Sequence, residues 1–80
     1  MAYRELDPVV LTRDVPEHGL RAGDLGAVVQ VHAPDAFEVE FVRVSGQTKA
    51  LVTLPSADLR SVEEQDLVSV RSVGPSRGAA

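Results

Sequence analysis

At 80 residues the chain has room for one domain. A domain of about 60 residues buries only about 60% of its unfolded surface, so this core must be efficient or shared with a partner. A net charge of −4 with scattered Lys and Arg argues against a phosphate-binding surface, the lack of cysteine excludes disulfides and thiolate metal sites, and 44% hydrophobic residues argues against global disorder.

The first seven residues carry three charges and no apolar stretch, so no signal peptide is expected and the cytoplasm is the expected compartment. Residues 8–13, Pro-Val-Val-Leu-Thr-Arg, form a β-branched run bounded by Asp7 and Asp14. This predicts a strand, with Pro8 at its first position where no ladder donor is needed. Residues 14–24 read as a loop holding Pro16, Gly19 and Gly23. Loops of that length in small domains are packed Ω-type loops or functional ones.

Residues 25–32 predict a second strand, with Ala27, Val29 and Val31 on one face and Val28, Gln30 and His32 on the other. Residues 33–36, Ala-Pro-Asp-Ala, predict a turn. Residues 37–44 alternate most strictly: Phe37, Val39 and Phe41 are expected in the core, Glu38 and Glu40 in water. Gly46 supplies a positive φ to the next connection, and residues 48–54 predict a fourth strand. Residues 55–58 suit a single 3₁₀ turn, being too short to propagate a helix. Residues 59–62 then close the sheet as a fifth strand.

The fold class expected is all-β: a small five-stranded SH3-like barrel over residues 6–62 with a C-terminal extension over 63–80. Residues 63–66 are acidic and polar. Residues 67–73, Leu-Val-Ser-Val-Arg-Ser-Val, are β-prone and are expected to run as a strand or extended segment along a barrel edge. Residues 74–80 are expected to be flexible.

Val9-Val10-Leu11-Thr12, Pro16-Glu17-His18-Gly19-Leu20, Gly23-Asp24-Leu25-Gly26-Ala27-Val28-Val29, Phe37-Glu38-Val39-Glu40-Phe41 and Ala50-Leu51-Val52-Thr53-Leu54 together resemble a family of small bacterial proteins of unknown function. The resemblance spans residues 6–62 and implies an SH3-like barrel with no established activity. Residues 23–28 are also similar to the glycine turn of KOW-type barrels, although those place basic residues around the turn and here Asp24 sits inside it. Residues 13–37 resemble SH3-like subunits of the nitrile hydratase class in glycine spacing, a His-containing loop and a Pro-Asp turn.

Gly19, Gly23, Asp24 and Gly26 read as structural turn residues. Gly23 and Gly26 take up backbone conformations costly for other residues, and Asp24 accepts N–H groups inside the turn. No catalytic set is expected. His18 and His32 lack a neighbouring nucleophile, the serines fall at Ser45 and beyond, and Glu38 and Glu40 are outward neighbours on one strand. No metal or cofactor is expected, because neither histidine sits in a ligand-spaced motif. A PxxP groove needs more aromatics than Tyr3, Phe37 and Phe41. A membrane-binding segment is not expected either.

The remaining expectation is a non-catalytic protein-binding accessory or regulatory module, with a protein partner or a second copy meeting His18, Leu20, Arg21, Leu67, Val68 and Val70. The alternatives are a KOW-like nucleic-acid or ribonucleoprotein module and a subunit attached to a metalloenzyme of the nitrile hydratase class.

Overall fold

Strict alternation of apolar and polar residues makes the centre of the sheet. In the computed structural model, which describes residues 3–74, Ala36–Val42 forms β3 and Thr48–Leu54 forms β4, paired antiparallel. Phe37 faces Leu54, Val39 faces Val52 and Phe41 faces Ala50, so one side of the hairpin is continuous apolar surface. Gly46 at the hairpin tip has φ +95°, a conformation open to glycine at little cost.

The other strands extend this sheet. Pro8–Leu11 is β1, Leu25–His32 is β2 and Leu59–Ser61 is β5. Their order is β4-β3-β2-β1-β5, with every neighbouring pair antiparallel. A 3₁₀ turn at Ser56–Asp58 carries the chain from β4 to the far edge, where β5 pairs with β1. This is the expected all-β fold, five antiparallel strands in one small barrel-like sheet. Its core gathers Val9 and Leu11 of β1, Val28 of β2, the apolar side of the hairpin and Leu59 of β5.

The long connection between β1 and β2 is packed. Val15 and Leu20 form an isolated bridge around a 3₁₀ turn at Pro16–His18, and both side chains are buried in the core. The N-terminal arm is packed as well: Tyr3 stands edge-on to Phe37 with ring centroids 5.4 Å apart, a contact distance typical of aromatic pairs.

Two sequence expectations change here. The register of β2 against β3 slips between Val28 and Gln30, leaving Val29 as an extra residue. Beyond this bulge Val31 lies opposite Phe37, so it joins the face of Val28 and not that of Ala27. Gly26 does not owe its place to an unusual φ, since only Gly19, Gly23 and Gly46 have positive φ among the described glycines. It is needed for space: a Cβ there would lie 2.7 Å from Val39 Cγ1 and 2.8 Å from Phe41 Cε2.

The β-prone residues 67–73 form no strand. Side-chain hydrogen bonds tie them to the rest of the chain, Arg71 to Asp24 and Gly19 and Arg43 to the Val73 carbonyl. Of the segment expected to be flexible, residues 75–80 lie outside the described residues.

Candidate functional site

Val10 poses the first question about this surface. Val9 and Leu11 point into the core, so alternation sends Val10 to the opposite face, yet it is only 5% exposed. Leu25 and Arg60 are its direct neighbours on β2 and β5, forming a row across three strands. Residues 62–74 form a strap beside this outer face, and Val62, Asp66, Leu67, Val68, Ser69 and Arg71 of the strap share a groove with Val10 and Leu25.

Side chains, not a backbone ladder, hold the strap. At its start Arg60 forms a fork on Asp66, with Nη1–Oδ2 and Nη2–Oδ1 both 2.9 Å. The Glu63 N–H donates to Asp66 Oδ2 at 2.7 Å, which turns the chain back towards the sheet. The Arg60 fork, followed by this N–H, holds the Asp66 carboxyl down at about 2.

At its middle Arg71 reaches the base of the β1–β2 connection. Its Nε donates to Asp24 Oδ1 at 3.1 Å, and its Nη2 donates to Asp24 Oδ2 and to the Gly19 carbonyl, the latter at 3.3 Å. The Asp24 side chain is 20% exposed. Burial pushes its carboxyl up, but the Arg71 guanidinium and the Arg21 N–H, 2.8 Å away, outweigh this and hold it below the ordinary carboxylate range. At its end, Arg43 donates to the carbonyls of Val73 and Gly74, at 2.6 and 2.9 Å.

Between sheet and strap lies an open groove of about 560 Å³. Pro8, Val10 and Leu25 supply apolar lining from the sheet, and Val62, Leu67 and Val68 supply it from the strap. The strap does not fill this groove with its own side chains. Leu67, Val68 and Val70 are 90%, 81% and 78% exposed.

The residues expected to meet a partner divide accordingly. Arg21, Leu67 and Val68 line the groove, while Val70 stands exposed on the strap beside it. His18 is exposed on the 3₁₀ turn and does not line the groove. Leu20 is withdrawn: at 3% exposure it is a core residue, held by its bridge to Val15. Gly19 and Gly23 take positive φ as turn residues, and Asp24 accepts the Arg21 N–H as expected.

The sequence reading missed Arg60, Asp66 and Arg71 as anchors and Val10 as part of the site. An arginine three residues after a Leu-Val pair carries no signal of an aspartate 47 positions earlier. Among the described residues no group of three or more His, Asp or Glu converges as a metal site, and no helix is long and apolar enough to cross a membrane.

Residues 5–61 match the family described as Domain of unknown function (DUF4926), so the matched stretch ends with β5 and the strap lies beyond it. No curated protein and no solved structure matches the chain.

Proposed function

The chain belongs to that family of unknown function, and we propose that it is a non-catalytic protein-binding module whose docking surface is the strapped groove. One observation carries this reading: Leu67 and Val68 in the groove wall and Val70 beside it remain largely exposed, and the groove stays open. Fully burying such a side chain is worth about 1.5–3 kcal/mol, a gain that a partner covering the strap would collect. Contiguous apolar surface of this kind marks interaction sites on small soluble domains.

A nucleic-acid partner is less well supported. Arg13, Arg60 and Arg71 are paired with Asp58, Asp66 and Asp24, and Arg43 is engaged by strap carbonyls. Phosphate binding by these four arginines would compete with the contacts they already make. A metalloenzyme subunit is one form that a protein partner could take.

Affinity capture from the native host tests the proposal. Full-length protein should retain a stoichiometric partner that the Leu67→Asp/Val70→Asp variant loses, with unchanged melting of the barrel. Equal capture by both would remove the strap from the interface.

A further inference from the structure

Arg71 belongs to the strap, and the place it fills belongs to the family-matched domain. Asp24 and Gly19 offer a carboxylate fork and a carbonyl at the mouth of the groove, and a planar guanidinium satisfies both at once. Asp24 is mostly enclosed and its carboxyl is held ionised. Once Arg71 left, the carboxylate and the Gly19 carbonyl would present the same acceptors to another guanidinium.

The strap fits this place only in part. Arg71 is well seated, but Leu67 and Val68, which line the groove with Val10 and Leu25, and Val70 beside it remain largely exposed. No strand pairing commits the strap to its position. A segment with the same arginine but with apolar side chains turned inward would keep the ion pair and add apolar burial.

We propose that Asp24 and Gly19 form an arginine-anchoring site for an extended apolar segment of a protein partner, and that Arg71 holds this place in the free protein as an intramolecular stand-in. The inference rests on the protein-binding reading and specifies its partner: a segment with apolar residues directly before an arginine. The charge complementarity is that of the strap itself, a cation on a carboxylate in an apolar surround.

The test uses full-length protein and a fluorescent peptide with the sequence of residues 66–74, Asp-Leu-Val-Ser-Val-Arg-Ser-Val-Gly. Arg71→Ala opens the site and should bind the peptide at least about tenfold more tightly than the unsubstituted chain, tenfold being the share of one modest charge-assisted contact. Adding Asp24→Asn should remove that gain, and a peptide with Ala in place of its arginine should fail to bind Arg71→Ala. Equal binding by the unsubstituted chain and Arg71→Ala, binding indifferent to Asp24→Asn, or no binding to a folded Arg71→Ala would each overturn the proposal. If Arg71→Ala does not fold, hydrogen exchange on the unsubstituted chain decides: saturating peptide should speed exchange across residues 67–73, and unchanged exchange would overturn it. A natural partner lost by Leu67→Asp/Val70→Asp but insensitive to Asp24→Asn would keep the protein-binding reading and sink the arginine anchor. A partner insensitive to all of these substitutions would sink both.

Discussion

The β3–β4 hairpin and the C-terminal strap are both rich in valine and leucine, yet they are held by different physics. In the hairpin, main-chain ladders fix the register and alternate side chains enter the core. In the strap, three arginines grip a carboxylate or carbonyls, and the apolar side chains stay outside. β-propensity measures how well a residue fits a pleated, half-buried surface, and the strap has no such surface to join. The difference separates a segment that specifies the fold from one that rests on it.

Removing a hairpin side chain breaks the comparison most severely. Phe41→Ala should cost about 3–5 kcal/mol, a large part of the total stability of a domain this small, and should be seen as a collapse of the thermal transition. A melting temperature within a few degrees of the parent would mean that the core does not depend on the hairpin. Gly26→Ala comes next, because its new Cβ must push Val39 and Phe41 aside. Overpacking of this kind costs about 1–3 kcal/mol, and denaturant titration with an unchanged midpoint would show that the neighbours yield freely.

Acid should sharpen the contrast without unfolding the barrel. The folded carboxyls of Asp66 and Asp24 both lie below their ordinary value of 3.8. Their contribution is therefore complete above that value and is lost as the pH falls, for Asp66 through about 2. Between those limits NMR shifts of residues 66–74 should move toward unfolded values while those of residues 37–54 hold. A simultaneous change in both would make strap and hairpin one cooperative unit. The smallest effect is expected at Glu40→Gln, on the outward face of β3, where the Thr48 hydroxyl still finds an acceptor. Its change in stability should stay under about 0.5 kcal/mol, and a larger shift by calorimetry would reassign that face.

The hairpin was legible because its information is local: alternation at Phe37, Val39 and Phe41, a glycine at the tip, and a proline just after Leu54. The 3₁₀ turn at Ser56–Asp58 and the closing strand at Leu59 were readable for the same reason. Val31 was assigned to the wrong face because a bulge adds one residue and reverses every side chain beyond it, and nothing in Val28-Val29-Gln30 marks the slip. Leu20 looked like an exposed loop residue because a loop that folds back on itself can make core, as the Val15–Leu20 bridge does. The site was the least legible part. Its anchors pair residues that meet only once the sheet has formed, as Arg71 meets Asp24 and Arg43 meets Val73.

Gly26 also bears on curvature. Five short strands enclose a core only if the sheet rolls, and a sheet rolls where its inner surface can be compressed. Val39 and Phe41 lean into the blank left on β2, so the inner wall shortens there. The bulges at Val29 in β2 and Lys49 in β4 add local twist on the same three strands. These three irregular positions, more than the regular alternation around them, turn a flat ribbon into a container.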